Sequence, residues 1–205
     1  LSTKDWKLFD RPVVEVPTQA AFIDFFNDKM VTSQNIQEKF VWVADRTQSI
    51  FCFKPFVSEV SQYTMLQLAA VDNEQRQITA MQPLNDFTIA IGDKFGCVAV
   101  LRLPSGLVVG APSWGEWQPP ERGASVPAGR CLEKVATFSV GQAITSILIN
   151  TRNSVAFGNE ASLVFFYTTL FGQIGAVVQI SSDEEFAILN NAARVAEKIC
   201  NEEFT

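Results

Sequence analysis

Carboxylates and thiols are the groups in this 205-residue chain that could do chemistry, because histidine is absent altogether. Without an imidazole, neither a Ser-His-Asp nor a Cys-His nucleophile can be assembled from the chain itself. The four cysteines, at 52, 97, 131 and 200, include no C-x-x-C pair, which excludes zinc sites of the usual spacing. Three of them stand in strand-like apolar surroundings, where a thiol behaves as a small buried hydrophobe. Reduced thiols in an intracellular protein are expected. Asp45 and Asp93 could each pair with a second carboxylate for acid–base work. Both also stand at strand ends and turns, where an Asp side chain bonds backbone amides, and that is the expected role. Gly172-Gln173-Ile174-Gly175 is too short for a dinucleotide fingerprint and runs into β-rich sequence rather than a helix, so it reads as a turn between strands. No catalytic residue, cofactor-binding residue or metal ligand is expected.

The elements that hold these residues are strands. Between Gln77 and Pro104 three short strands follow one another, and the second turn is Gly92-Asp93-Lys94-Phe95-Gly96. Phe87, Ile89 and Ile91 alternate before that turn, and Val98, Val100 and Leu101 or Leu103 follow it. Alternation around a Gly-bounded turn predicts an antiparallel hairpin with one buried face. Asp93, Lys94, Phe95 and Gly96 are then turn residues, with Gly supplying positive φ and Asp capping the loop. Gly172 and Gly175 have the same structural role. The pattern restarts at Phe22 and at Ile144, and three-strand up-and-down units of this kind are most of a propeller blade. The starts at Phe22, Ile78 and Ile144 lie farther apart than the roughly 40–45 residues of a WD-type blade, so a fourth strand and loop insertions must fill each interval. Spacing alone leaves a β-sandwich as the competing architecture.

Several segments punctuate the series. Ser49–Phe53 reads as an edge strand and Thr64–Val71 as a further strand; together they complete the first blade and begin the next. Pro104 to Gly129 carries five of the nine prolines together with Trp114 and Trp117, and reads as a long surface insertion, open to disorder. Either tryptophan anchors that loop on the domain or docks a partner. Strand pattern resumes at Lys134–Val140. Ser182 with Glu185 three residues on forms a capping box, and Phe186, Leu189, Ala193, Ala196 and Cys200 then share one helical face. That stripe is expected to pack on the last blade. The organisation predicted is blades over 1–180, an insertion at 104–130 and a C-terminal packing helix over 181–205.

Charge narrows the function classes. A formal net charge of −6 and a pI near 4.7, with lysines and arginines scattered singly, argue against an electropositive face for nucleic-acid phosphates. No apolar run approaches the about 18 residues of a membrane span. The chain opens on Leu1 rather than Met, which suggests a fragment or processed piece.

Five strings in order carry a family resemblance. Ile36-Gln-Glu-Lys-Phe-Val-Trp-Val43, Gly92-Asp-Lys-Phe-Gly-Cys-Val-Ala-Val-Leu-Arg-Leu-Pro104, Phe138-Ser-Val-Gly141, Ser162-Leu-Val164 and Tyr167-Thr-Thr-Leu-Phe-Gly-Gln-Ile-Gly175 resemble the C-terminal β-propeller of the splicing factor 3b subunit 3 family. The similarity runs from about Val31 to Ile199, and the string around Asp93 favours this family over two siblings. Those siblings are the largest cleavage and polyadenylation specificity factor subunit and the damaged-DNA-binding cullin adaptor. The resemblance implies an all-β fold of WD-type propeller blades. It also implies a non-catalytic, cofactor-free scaffold in the nucleus, within the U2 small nuclear ribonucleoprotein. The partners implied are the helical-repeat subunit that clamps the branch-site helix and the rest of the chain's own propeller. The insertion departs from the family: acidic there, it holds only Glu116 and Glu121 here, and the helix is weakly similar. The rival readings are a sibling scaffold in 3′-end processing or ubiquitin ligation, and a small enzyme built on Asp45 or Asp93.

Overall fold

Each point where the sequence pattern restarts opens an antiparallel sheet. The computed structural model describes residues 20–24, 39–45, 48–57, 64–109, 126–149, 164–180 and 182–203. The first sheet runs β1 (Ala20–Asp24), β2 (Val41–Asp45), β3 (Ile50–Val57) and β4 (Thr64–Val71), in chain order across the sheet. The second repeats that plan with β5 (Ile78–Asn85), β6 (Thr88–Asp93), β7 (Cys97–Arg102) and β8 (Glu133–Ser139). The third holds β9 (Ile144–Ile149), β10 (Val164–Thr169) and β11 (Ile174–Val178) in the order β11-β10-β9. Phe22, Ile78 and Ile144 lie in β1, β5 and β9, so the repeat phasing holds, and β4 and β8 are the fourth strands that the long intervals require. Sequential four-stranded meanders of this kind are all-β, propeller-type blades.

Two expectations about strands change. Ser49–Phe53 is not at an edge: β3 pairs with β2 on one side (Trp42 with Cys52, Val43 with Phe51) and with β4 on the other (Cys52 with Ala70). Its side chains are buried on both faces, Ile50 and Cys52 in one apolar cluster and Phe51 and Phe53 in another. An unbroken apolar run is what an interior strand covered on both faces needs. β4 accordingly closes the first sheet, and the second begins at β5. The β6–β7 hairpin is likewise buried on both faces, from Ile89, Ala90 and Ile91 to Val98, Ala99 and Leu101. Alternation had predicted one. Pro83 is on β5, at the edge of its sheet, where a strand tolerates proline.

The main core lies between the first two sheets. Trp42, Ala44, Ile50 and Cys52 meet Ile78, Ile89, Ile91, Ala99 and Leu101 there. At roughly 25 cal/mol per Å² of apolar surface, a fully buried Ile or Leu contributes about 2 kcal/mol, so this face fixes the two sheets together. The described residues of the insertion pack on the same unit. Helix α1 (Ser105–Val109) buries Leu107 in the same cluster. A 3-10 turn at Ala128–Arg130 places the Arg130 guanidinium on the Leu68 and Ala69 carbonyls, both at 3.3 Å. Leu132 N then donates to Val71 O at 2.9 Å. The prolines suggest a loop, but the apolar residues flanking them, Leu103, Leu107 and Leu132, pull each end inward.

The chain divides into two compact units, Leu1–Ile147 with Thr168–Gln173, and Leu148–Tyr167 with Ile174–Thr205. The first holds both four-stranded sheets. The second holds helix α2 (Asp183–Glu203), which starts directly after Ser182, whose carbonyl accepts from Phe186 N at 3.1 Å. On the expected stripe, Phe186 and Leu189 are each more than half exposed among the described residues. The described helices include none long and apolar enough to cross a membrane.

Candidate interaction surface

Asp93 ends β6 and organises the turn that follows. Its Oδ1 accepts from Phe95 N at 2.9 Å and from Cys97 N at 2.8 Å, while its carbonyl accepts from Gly96 N at 3.2 Å. One carboxylate oxygen thus satisfies two amides that a tight turn would leave unpaired. Gly96 has φ 86°, the left-handed region open to glycine, and a Cβ there would lie 2.4 Å from Gln142 N and 2.6 Å from Gln142 O. The close approach is used: Val140 N donates to Gly96 O at 2.8 Å. Lys94 N is tied to Gln77 O at 3.1 Å, and its ammonium lies 4.9 Å from the Phe95 ring centroid.

A second turn sits on the same link. Gln142 Oε1 accepts from Thr169 Oγ1 at 2.8 Å, and Leu170 N donates to Ala143 O at 2.9 Å. Thr169 is buried; its hydroxyl also accepts from Gln173 N at 3.2 Å, and its carbonyl from Gly172 N at 3.0 Å. Gly172 has φ 82°. The segment Val140–Ala143 therefore joins the turn after β6 to the turn after β10. Two strings far apart in sequence are thus linked through one four-residue segment. What they present is apolar: Phe95 is 66% exposed, Leu170 65% and Phe171 79%. Turn tips are ordinarily polar, so large apolar groups exposed on these two make them candidates for interaction.

Behind the first turn lies a charged cluster. Arg76 is 7% exposed; its Nε donates to Asp72 Oδ2 at 2.9 Å, Nη2 to the Glu74 carboxylate and Nη1 to Cys97 Sγ at 3.5 Å. Asp72 Oδ2 also accepts from Ser49 Oγ at 2.7 Å, and Glu74 Oε1 from Lys134 Nζ at 2.5 Å. The Lys134 ammonium, with the Arg76 guanidinium, holds the Glu74 carboxyl below the usual carboxylate range, and burial pushes the Cys52 thiol well up. Sequence reading missed this cluster, because Asp72-Asn-Glu-Gln-Arg76 looks like an ordinary solvated link.

The remaining candidates divide. Asp45 has the turn role: its Oδ1 accepts from Gln48 N at 2.7 Å and its amide donates to Ser49 O. Asp93 ends β6 and caps the turn after it, and Gly172 stands in the turn after β10. Gly175 is not; it lies inside β11, where a Cβ would fall 2.1 Å from Tyr167 Cζ, so the missing side chain makes room for a ring. Trp114 and Trp117 lie outside the described residues. Cys52, Cys97 and Cys131 are free thiols, and the described residues hold no cluster of three metal-ligating side chains.

The family model described as the CPSF A subunit region matches residues 18–200, both turns included. The chain belongs to that family. Among curated proteins it is similar to Splicing factor 3B subunit 3 of Drosophila melanogaster, with 32% identity over 71% of this chain and 11% of the relative. Probable splicing factor 3B subunit 3 of Dictyostelium discoideum is 36% identical over 70% of this chain and 11% of the relative. Splicing factor 3B subunit 3 of Danio rerio is 28% identical over 83% and 12%. The resemblance carried by Gly92–Pro104 and Tyr167–Gly175 is borne out. The chain spans about a tenth of the length of these relatives.

Proposed function

We propose that this region of the CPSF A family is a non-catalytic docking scaffold in a nuclear pre-mRNA splicing complex. The observation that carries the reading is the apolar surface of Phe95, Leu170 and Phe171, held out on two braced turns. Rigid aromatic anchors bind at low entropic cost, which suits a protein partner better than a small substrate. The carboxylates available for acid–base chemistry, Asp45 and Asp93, are engaged with backbone amides, which speaks against the enzyme reading. The relatives' printed names support splicing, and the partners that fit are the helical-repeat subunit of the splicing factor 3b complex and the remainder of the chain's own propeller. In that setting the scaffold supports branch-site recognition within the U2 small nuclear ribonucleoprotein. Nucleic acid is not contacted directly, in keeping with the charge of −6.

Affinity purification of the full-length polypeptide tests this. Replacing Phe95 and Phe171 together by Ser removes two anchors worth about 2 kcal/mol each at a hot spot, or about 30-fold in affinity apiece. Splicing proteins should co-purify with the parent and be depleted from the double variant, with circular dichroism unchanged. Recovery of 3′-end-processing or cullin-ligase proteins instead would favour a sibling scaffold. Undiminished recovery of the same splicing partners would sink the assignment of this surface.

A further inference from the structure

Arg76 belongs to neither turn, yet its bonds lead to the first of them by two routes. One runs through the side chain: Nη1 donates to Cys97 Sγ, and the Cys97 amide is one of the two that Asp93 Oδ1 holds, at 2.8 Å. The other runs through the backbone: Arg76 N donates to Gln48 O at 3.1 Å, and the next residue, Gln77, accepts from Lys94 N at 3.1 Å. The guanidinium is also where the first sheet meets the second. Asp72 is bonded to Ser49 Oγ and, through its amide, to Ile50 O at 3.0 Å, while Glu74 reaches Lys134 on β8. A charge this buried persists only where its donors are matched. The planar fork of five donors serves Asp72, Glu74 and Cys97 at once, which an ammonium cannot do.

We infer that Arg76 is a positioning residue for the docking turn: the guanidinium braces Cys97 and Gln77, and through them fixes the angle at which Asp93 presents Phe95. The inference rests on the reading of Phe95 as a docking side chain. Its chemistry does not require the partner to be present, because the brace is complete within the chain. A neutral side chain of similar length would leave Asp72 and Glu74 without their shared cation and Cys97 Sγ without its donor. Lysine would keep the charge and lose the fork.

The experiment is residue-resolved amide exchange on the full-length polypeptide carrying Arg76→Lys, with Arg76→Met as the harsher variant, alongside binding of purified splicing partners. The Phe95 and Cys97 amides should exchange about tenfold faster in Arg76→Lys, the effect of weakening one net hydrogen bond. The ladder amides of β6 should keep their protection. Partner affinity should fall, and adding Phe95→Ala to Arg76→Lys should cost less than the two single losses combined. Unchanged exchange at Phe95 and Cys97 in both variants overturns the inference. Uniform acceleration across β5 to β8 overturns it too, because it would show general stabilisation rather than positioning. Local acceleration with unaltered affinity upholds the brace and refutes the docking role of Phe95, so the two failures are told apart.

Discussion

The two turns of the interaction surface do the same job with different means. After β6, a carboxylate grips two amides, a glycine presses against the Gln142 backbone and a buried ion cluster stands behind. After β10, a threonine hydroxyl does the bonding, Gly172 has open space where its Cβ would be, and Thr169–Gln173 contains no titratable side chain. Both hold a glycine at positive φ and both push large apolar groups outward. Gly96 is therefore required by packing as well as by conformation, Gly172 by conformation alone. That difference makes the glycines unequal.

Gly96→Ala tests it most severely. A left-handed alanine costs about 1–2 kcal/mol, and forcing a Cβ into the Gln142 backbone adds about 1–3 kcal/mol of overpacking. The sum, about 2–5 kcal/mol, should lower the urea midpoint of this region and release the Val140–Gly96 bond, read by faster exchange of the Val140 amide. Gly172→Ala should cost only the conformational part, about 1–2 kcal/mol, and leave Val140 protected. Equal losses at the two sites would erase the distinction. A larger loss at Gly172 would reverse it.

How much of this was legible beforehand follows the range over which each cause acts. The restarts at Phe22, Ile78 and Ile144 and the turn roles of Asp93, Gly96 and Gly172 depend on residues a few positions apart, and strand alternation and turn chemistry expose them. Gly175 was misread because its reason, the Tyr167 ring, lies on a neighbouring strand. Ser49–Phe53 was misplaced at an edge because its lateral partners, β2 and β4, are set by pairing across the sheet rather than by its own residues. Arg76 gave no signal at all: its partner Cys97, and the Lys134 that bonds its other partner Glu74, come near only when β7 and β8 join the sheet. The exposure of Leu170 and Phe171 was equally hidden, since an apolar pair in a turn reads like any strand end. Local grammar gave the frame, and contacts distant in sequence decide what the frame presents.

The smallest expected difference between the turns appears at acid pH. Glu74, bonded by Lys134 and beside Arg76, has its carboxyl lowered in the folded chain. A depressed carboxyl contributes stability that is fully present above its unfolded value, about 4.3, and is lost as pH falls through the folded one. The side chain is 44% exposed, so solvent screens the pair and the effect is modest. Below about pH 4, protonation of Glu74 should loosen the brace behind Asp93 and speed exchange at the Phe95 amide, relative to the Leu170 amide of the uncharged turn. Intrinsic exchange rates vary with pH alike for both, so the ratio of protection factors is the quantity to follow. Glu74→Gln should remove most of that pH dependence and leave the ratio at neutral pH slightly lower than in the parent. A ratio that tracks pH identically in parent and variant would mean that Glu74 does not reach the turn, and the asymmetry would then reside in Asp93 and Gly96 alone.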